Sequence, residues 1–259
     1  MITSSTNAKI KNIVQLNTSS KARREQGVFV AEGTKMFLEA PADSIRQIFI
    51  SESYYHRCEY LDRLEKLPYD IVEDSVFRKA SDTMNPQGIL CVIGQSCNDI
   101  NAMLAKPQPL LMVLEGLQDP GNLGTIIRTG EGAGVTGIIM DRNTADVFNP
   151  KVIRATMGSV YRVPFAYTEN LPDTLTQMKK QDIRIYAAHL SGHRFYYEED
   201  YCSGSAFLIG NEGNGLSEHI TGYADTRIKI PMQGQVESLN AAVSASVLMY
   251  EVMRQRSIK

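Results

Sequence analysis

The sequence predicts an α/β fold with two domains, and three observations support this prediction. The chain has 259 residues, whereas single domains commonly have about 100 to 200. Short apolar runs alternate with helix-type segments along most of its length, which is typical of strands connected by helices. Its composition, with 43% hydrophobic and 22% charged residues, is that of an ordinary globular protein.

The first domain is predicted over residues 1–97. Strand-type and helix-type segments alternate between residues 27 and 94, and the longest helical segment covers residues 52–67. This pattern indicates a small α/β domain. Residues 98–109 end in two closely spaced prolines and lack a sustained apolar period, so we predict a linker there.

The second domain is predicted over residues 110–259. Apolar strand-type segments separated by helical ones predict a parallel sheet that is covered by helices on both faces. The last helix is predicted to begin at Ser238, which suits the N-cap position, and to continue nearly to the C-terminus. The strand-type segments span residues 110–117, 137–141, 163–165, 183–190, 206–212 and 226–232.

Neither a metal site nor a disulfide framework is predicted. The cysteines form no CxxC pair. His189 and His193 have a spacing that suits a metal on a helix, but Ser191 and Gly192 between them predict a turn. The cysteines are Cys58, Cys91, Cys97 and Cys202.

The sequence predicts a cytoplasmic protein without a membrane segment. No stretch approaches the roughly 20 apolar residues that a membrane-spanning helix needs. The lysines near the N-terminus are not followed by an apolar run, so no signal peptide is expected.

The distribution of charge suggests a nucleic-acid partner, although the net charge is only −2. Residues 1–24 and 147–165 contain basic residues and no acidic ones. A surface that contacts only water would give the same pattern and is the more common explanation. Charge alone therefore leaves a nucleic-acid contact open. The candidate residues for such a contact are Lys9, Lys11, Lys21, Arg23, Arg24, Lys151 and Arg154.

The dinucleotide-binding pattern GxGxxG occurs in the sequence at Gly132, Gly134 and Gly137, but its structural context differs. That pattern follows a strand and opens a helix, so that the pyrophosphate lies at the helix N-terminus. Here the glycines close a helix and precede a strand. They are therefore interpreted as a helix C-cap, and an oxidoreductase is not predicted.

Three segments of the second domain place polar loops directly after a predicted strand. The carboxyl ends of parallel strands meet at one edge of a sheet, where open α/β folds bind ligands. The sequence therefore predicts a pocket formed by these loops. The segments span residues 114–140, 207–217 and 228–252.

The polar residues of these loops are the candidates for function. In the first segment Asn122 begins a helix and Arg128 follows about two turns later, although a helix cap and a surface arginine would give the same pattern. Asn211 and Glu212 lie at the tip of the second loop, whose glycines permit close approach to a ligand. The third loop contains Ser238, Leu239 and Asn240, of which the serine and the asparagine also suit a helix start.

The three loops resemble, in order, the signature motifs of the SpoU (TrmH-type) family of RNA methyltransferases in the SPOUT superfamily. Residues 122–129 resemble the first motif, residues 210–217 the second and residues 230–245 the third. Residues 149–165 are similar to the segment between the first two motifs. This resemblance implies a catalytic domain with a parallel sheet and a deep trefoil knot.

The N-terminal half has a resemblance of its own. Residues 29–40 and 85–93 are similar to the RNA substrate-binding domain, with an L30e-like fold, that accompanies many ribosomal-RNA methyltransferases of this family. It favours ribosomal RNA of the 23S type as the substrate. Transfer RNA, a methylation that confers antibiotic resistance, and a non-catalytic RNA-binding or assembly factor stay open as alternatives.

The resemblance implies S-adenosylmethionine as the methyl donor and a ribose 2′-hydroxyl of RNA as the acceptor. The cofactor-binding positions that it implies are Ala188, Gly210, Asn211, Ile230, Met232 and Leu239. The catalytic positions are Asn122, Arg128, Glu212, Ser238 and Asn240. It also implies a homodimer. An apolar side of the last helix, with Val243, Val247 and Tyr250, could form the contact between subunits, and packing within one subunit is the alternative.

Arg128 is the candidate for activating the hydroxyl. A guanidinium stays protonated and is a poor proton acceptor. We therefore expect Arg128 to hold the hydroxyl and the adjacent phosphate and to stabilise negative charge developing on the oxygen, with Asn122 orienting it.

Overall fold

The computed structural model describes residues 1–96 and 98–257, so Cys97 and residues 258–259 lie outside the described part of the chain. The chain forms two compact units. One contains Met1–Ser96 and Asp146–Tyr161, and the other contains Cys97–Ala145 and Arg162–Lys259 as far as these are described.

Helices and strands alternate along the chain, as the sequence predicts. The helices are α1 (Ala8–Thr18), α2 (Ser20–Gln26), α3 (Thr34–Glu39), α4 (Glu52–Tyr55), α5 (Leu61–Leu64), α6 (Asp74–Ala80), α7 (Ile100–Leu104), α8 (Pro120–Ala133), α9 (Pro150–Thr156), α10 (Leu171–Lys180), α11 (Glu218–Thr221) and α12 (Ala241–Ser257). The strands are β1 (Val28–Glu32), β2 (Ile45–Ser51), β3 (Tyr69–Val72), β4 (Ile89–Gly94), β5 (Leu110–Leu114), β6 (Gly137–Met140), β7 (Phe165–Tyr167), β8 (Arg184–Ala188), β9 (Arg194–Phe195), β10 (Ser205–Ile209) and β11 (Thr226–Lys229).

A four-stranded sheet in the order β1-β4-β2-β3 forms the centre of the first unit. Strand β4 is antiparallel to β1 and β2, whereas β2 is parallel to β3. Helix α1 begins after Asn7, whose side chain accepts a hydrogen bond from the backbone N–H of Lys9. Its residues Ile10, Ile13 and Leu16 follow helical spacing and are buried in the core of this unit.

Residues 146–161 belong to the first unit, although the sequence predicted them in the second domain. Asp146 forms an ion pair with Arg23, in which Oδ2 of Asp146 lies 2.7 Å from Nη2 of Arg23. The rings of Phe148 and Phe29 pack with their centroids 4.9 Å apart. Such contacts join residues far apart in the sequence, so local patterns could not reveal them.

A seven-stranded parallel sheet in the order β7-β6-β5-β10-β8-β11-β9 forms the centre of the second unit. All residues of β5 and β10 are buried, as expected for parallel strands covered on both faces. The predicted α/β fold with a parallel sheet is thereby confirmed, and the knot stays a prediction. The loops after β5, β10 and β11 leave the sheet at the same edge.

Two predicted segments differ from the structure. Residues 52–67 form two short helices instead of one, because Leu64 is the one buried residue of this segment and no continuous apolar face supports a longer helix. The predicted linker, residues 98–109, contains α7, whose Met103 and Leu104 are buried in the core of the second unit. Asp99 caps α7 by accepting a hydrogen bond from Asn101.

Candidate active site

A cavity of about 640 Å³ lies at the sheet edge where β8, β10 and β11 end. Its volume falls within the range of about 300–1,000 Å³ that is usual for small-molecule sites. All the residues predicted to bind the cofactor line it, and so do Glu212 and Ser238. The structure brings these positions together, while their individual roles stay predictions. The cofactor positions are Ala188, Gly210, Asn211, Ile230, Met232 and Leu239.

The loop after β10 forms one wall of the cavity and is closed by its own backbone. The N–H of Asn211 donates to the carbonyl oxygen of Gly215 at 3.0 Å, and the N–H of Gly215 donates back at 2.9 Å. Gly210 lies so close to this turn that an added Cβ would be 2.1 Å from the carbonyl carbon of Gly215. Only glycine therefore fits at position 210.

The side chain of Asn211 holds this loop in shape. Its Oδ1 accepts hydrogen bonds from the N–H groups of Gly213 at 2.9 Å and Asn214 at 3.1 Å. Its Nδ2 donates to the carbonyl oxygen of Gly116 at 2.8 Å. Because Gly116 follows β5, Asn211 joins the loops after two neighbouring strands.

Glu212 connects the loop after β10 to the start of α8. Its carboxylate accepts hydrogen bonds from the backbone N–H groups of Gln118 at 3.0 Å and Asp119 at 2.9 Å, and from Nδ2 of Asn122 at 3.0 Å. Burial raises the pKa of this carboxyl, but the hydrogen bonds from Asn122, Gln118 and Asp119 outweigh burial and leave the pKa below its ordinary value. The ionised carboxylate is therefore the form that holds the two segments together.

Asn240 extends this network to the third loop. Its Nδ2 donates to Oδ1 of Asn122 at 2.9 Å, and its Oδ1 accepts a hydrogen bond from the N–H of Ala242 at 2.9 Å. Asn240 is thus the N-cap of α12, and the prediction that Ser238 caps this helix was wrong. The chain turns into the helix two residues after Ser238, which is exposed and lines the cavity.

Asn122 lies inside α8 and is not its cap. The cap is Asp119, whose Oδ1 accepts a hydrogen bond from the N–H of Asn122 at 2.7 Å. The Asn122 side chain is buried, and its amide is held between Glu212 and Asn240. Its orientation is fixed, because its nitrogen faces a carboxylate and its oxygen faces an amide nitrogen.

Arg128 lies apart from this network. It is exposed on α8, it does not line the cavity, and it has no hydrogen bond or ion pair with another described residue. The predicted orienting contact from Asn122 is not formed, because the amide of Asn122 is engaged elsewhere.

Several residues of the cavity wall were not predicted from the sequence. His189 follows β8 and Phe195 lies in β9, while Lys229 ends β11 and Glu237 lies in the loop after it. The Nζ of Lys229 lies 5.1 Å from the centroid of the Phe195 ring, which is a cation–π distance. The position of His189 directly after a strand was the signal available in the sequence, whereas the two residues of β9 are too few to form a recognisable pattern.

The basic residues predicted to contact RNA differ in exposure and fall into three groups. Arg23 was predicted wrongly, because it is only 3% exposed and its guanidinium donates to Asp146 and to the carbonyl oxygen of Leu16. Arg154 is partly exposed and pairs with Asp82 at 2.6 Å. The exposed residues are Lys9, Lys11, Lys21, Arg24 and Lys151.

Neither a cluster of potential metal ligands nor a membrane-spanning helix occurs within residues 1–96 and 98–257. These residues contain no group of three or more His, Cys, Asp or Glu side chains placed to hold a metal ion. No helix among them is long and apolar enough to cross a membrane. His189 and His193 lie on either side of a turn, where Nδ1 of His189 is 2.8 Å from Oγ of Ser191.

The fold and the cavity define an α/β protein with a cavity of small-molecule size at the carboxyl ends of its parallel strands. Comparisons with known proteins specify it further. Residues 109–250 match the SpoU rRNA Methylase family, and residues 7–91 match the MRM3-like substrate binding domain. The 23S rRNA (guanosine(2553)-2′-O)-methyltransferase RlmP of Bacillus subtilis is 30% identical over 261 residues, which cover 97% of this chain and 98% of that protein.

Two further proteins show the same likeness. The 23S rRNA (guanosine-2′-O-)-methyltransferase RlmB of Neisseria meningitidis is 34% identical over 178 residues, which cover 67% of this chain and 71% of that protein. The crystal structure of an AdoMet-bound rRNA methyltransferase from Sinorhizobium meliloti superimposes with a TM-score of 0.86 and 30% identity, covering 98% of this chain and 97% of that one.

The chain belongs to the SpoU rRNA methylase family. The family predicted from the three loops is thereby confirmed, and so is the prediction that the protein is a methyltransferase.

Proposed function

We propose that this protein transfers the methyl group of S-adenosylmethionine to a ribose 2′-hydroxyl of ribosomal RNA in the cytoplasm. The observation that carries the proposal is the cavity at the ends of the strands. Hydrogen bonds connect its wall to helix α8, because Asn122 of α8 is bonded to both Glu212 and Asn240. Relatives that are named 23S rRNA 2′-O-methyltransferases support ribosomal RNA of the 23S type as the substrate.

The residues of the cavity fit S-adenosylmethionine. Ile230 and Leu239 would give apolar surface for the adenine, and Gly210 lets the loop that forms this wall fold closely onto itself. The backbone N–H groups of Met232 and Leu239 have no partner among the described residues and are available to a polar ligand. When bound, S-adenosylmethionine supplies an electrophilic methyl group on its sulfonium.

The protein's part in the reaction is to position and polarise the ribose hydroxyl. As the methyl carbon bonds to the ribose oxygen and its bond to sulfur breaks, the hydroxyl proton must leave. Arg128 holds the hydroxyl and the adjacent phosphate and stabilises the negative charge on the oxygen, and the proton passes to the phosphate or to water. The segment that carries Arg128 is held by the hydrogen bonds of Glu212 and Asn122.

A homodimer would complete the site, because Arg128 does not line the cavity of its own chain. The exposed side of α8 contains Thr125, Arg128 and Gly132, and the hydroxyl of Tyr250 on α12 lies close to Gly132. Tyr250 and Val243 are 46% and 47% exposed and extend this surface with apolar area. A second copy of the chain on this surface would bring its own Arg128 towards the cavity.

Two measurements test the proposal. Incubation of the protein with methyl-labelled S-adenosylmethionine and total RNA should place label on ribose, which nuclease digestion to nucleosides separates from label on bases. Label on bases alone, or no label with the cofactor bound, would contradict the proposed reaction. Sedimentation equilibrium at micromolar concentration should give twice the mass of one chain, and a monomer that is fully active would contradict the dimer.

The exposed basic residues near the start of the first unit, Lys11, Lys21 and Arg24, serve to recruit RNA. Contacts to phosphate dominate RNA affinity and weaken with salt. Changing Lys11, Lys21 and Arg24 together to Glu should raise KM for RNA and leave the Kd for S-adenosylmethionine unchanged. An unchanged KM would contradict this role. Three other exposed cations of this unit, Lys66, Arg78 and Lys79, changed in the same way, provide a control for net charge.

A further inference from the structure

A second cavity, of about 200 Å³, lies in the first unit and is separate from the proposed cofactor site. It is formed by the end of β1, the start of α3, the loop of residues 82–87 and the end of α9. Its volume is below the range of about 300–1,000 Å³ that is usual for whole small-molecule ligands. It therefore suits a smaller group, such as one nucleobase that has left its stack.

A fixed carboxylate lines this cavity. Glu32 accepts hydrogen bonds from Oγ of Ser81 at 2.7 Å and from Oγ1 of Thr83 at 2.6 Å, one on each oxygen. A carboxylate has about four lone-pair positions, so each oxygen keeps one for a further donor. Glu32 forms no ion pair with a described residue. Two adjacent acceptor positions on a held carboxylate are suited to two adjacent N–H donors of a ligand.

A fixed amide donor lines the same cavity. Oε1 of Gln87 accepts a hydrogen bond from the backbone N–H of Thr34 at 3.0 Å, which fixes the orientation of its amide. An added Cβ at Gly33 would be 2.7 Å from this oxygen, so the arrangement depends on glycine at that position. Nε2 of Gln87 has no partner among the described residues and is available to an acceptor on a ligand.

An apolar side chain on a strained backbone lies at the same cavity. Met157 ends α9 with φ of 52°, in the left-handed region that glycine adopts without cost. Its side chain is 42% exposed. A methionine sulfur makes favourable contact with aromatic rings, and strained positions are often retained for function. Met157 thus presents a surface on which a base can rest.

Two cations lie near these groups. Lys35 and Arg154 line the cavity, and both keep exposed surface while pairing with Glu39 and Asp82. Side chains of this type bind the phosphates on either side of a nucleotide. The cavity thus combines positions for a base and for its backbone.

We propose that this cavity binds an unpaired guanine of the RNA substrate. Guanine presents two adjacent donors, N1–H and N2–H₂, beside the acceptor O6, and this order complements the Glu32 carboxylate and the Gln87 amide. Adenine has an acceptor at N1, which the carboxylate repels. Recognition of unstacked bases by their Watson–Crick edges is the usual way in which proteins read RNA sequence. The assignment rests on the proposed function, because it takes RNA as the substrate.

Glu32→Gln tests the proposal, because the guanine site and a general charge effect predict opposite changes in the Kd for RNA. The probes are labelled uridine heptamers with guanine, inosine or adenine at the centre, and fluorescence anisotropy with the full-length protein measures their Kd. The variant should bind the guanine probe about five- to tenfold more weakly and lose its preference over inosine, which lacks the 2-amino group. If only general charge acts here, loss of a negative group strengthens binding of all probes, and that result would overturn the proposal. Glu65→Gln, at an exposed acid of the same unit, is the matched control and should not weaken binding.

Met157→Gly is a second, independent test that stays informative if the Glu32→Gln variant does not fold. Glycine relieves the strain at this position, so the thermal midpoint should stay the same or rise. Binding of the guanine and adenine probes should nevertheless weaken by about threefold or more, because the stacking surface is lost. Met84→Ala, at a methionine that is 99% exposed and does not line the cavity, is the control. Unchanged guanine binding by Met157→Gly would contradict the assignment.

Methylation assays separate this inference from the proposed function. If the wild-type protein methylates no RNA, the proposed function fails. If it does methylate RNA, Glu32→Gln should raise KM for RNA at unchanged Kd for S-adenosylmethionine. If KM stays the same in both Glu32→Gln and Met157→Gly, the guanine site is wrong and the proposed function stands.

Discussion

Asn240 donates a hydrogen bond from its Nδ2 to Oδ1 of Asn122 at 2.9 Å, and this bond joins the start of α12 to the first turn of α8, although the two residues are 118 positions apart in the sequence. The amide of Asn122 cannot turn over, because its nitrogen donates to Glu212 at 3.0 Å. The side chain of Asn240 also caps α12. Its two roles can be separated by substitution.

Asn240→Asp keeps the cap and removes the donor. The carboxylate still accepts from the N–H of Ala242, and a negative charge at a helix N-terminus is favourable. An oxygen of the new carboxylate then faces Oδ1 of Asn122 and repels it. We expect the Asn122 amide to rotate and to lose its hydrogen bond to Glu212. We expect the thermal midpoint to change little and kcat to fall about tenfold or more.

Asn240→Ala is the matched comparison, because it removes both the cap and the donor. Loss of a cap costs about 1 kcal/mol, which corresponds to a fall in Tm of about 2–4 °C for a chain of this size. Calorimetry and single-turnover methylation measure the two effects. Full turnover by Asn240→Asp would show that the bond to Asn122 has no part in catalysis.

Gly210→Ala should abolish binding of S-adenosylmethionine. The added Cβ would be 2.1 Å from the carbonyl carbon of Gly215, so the wall of the cavity must move. Gly234→Ala is the control, because no atom lies within 4 Å of the Cβ position there. Calorimetric titration should show binding by the control only, and wild-type affinity in Gly210→Ala would mean that this loop does not shape the cofactor site.

Arg128→Ala should leave the affinity for S-adenosylmethionine unchanged, because Arg128 does not line the cavity. The methylation rate should fall by about a hundredfold or more, which is the scale for loss of one transition-state donor. Arg128→Lys should rescue poorly, since an ammonium cannot hold hydroxyl and phosphate with a planar fork. Arg142→Ala, at another exposed arginine of this unit, serves as the control and should retain the rate.

Co-expression of two inactive chains tests whether Arg128 acts in the partner's site. A mixed dimer of Arg128→Ala and Gly210→Ala chains contains one intact cavity and one Arg128, on different chains. If Arg128 acts across the dimer, the mixed dimer recovers one working site. If activity stays at the level of the separate variants, Arg128 acts within its own chain.

The Glu212 carboxylate should make stability depend on pH. Its pKa is lowered in the folded protein, because hydrogen bonds from Asn122, Gln118 and Asp119 outweigh burial. A lowered folded pKa gives stabilisation that is present above the ordinary value of 4.5 and is lost as pH falls through the folded pKa. The difference in Tm between wild type and Glu212→Gln should therefore be largest near pH 7 and shrink below about pH 4.5. A difference that does not change with pH would contradict this account.

The sequence predicted the strands and the loops of the site better than the bonds between them. Strands β5 and β10 were recognisable because buried parallel strands are apolar throughout. The cap of α8 was misassigned because Asp119 and Asn122 both suit that position and only the backbone conformation decides between them. Arg23 looked like part of a basic surface, and its burial depends on Asp146, which lies 123 residues away.

Mapping of ribose methylation across total RNA tests the central claim most directly. Resistance to alkaline cleavage marks each 2′-O-methylated position, and RNA from cells that lack this protein is compared before and after treatment with the protein and S-adenosylmethionine. The account predicts a new resistant position in ribosomal RNA that wild-type protein produces and Arg128→Ala does not. No new position in any RNA, or one that Arg128→Ala produces equally well, would contradict it.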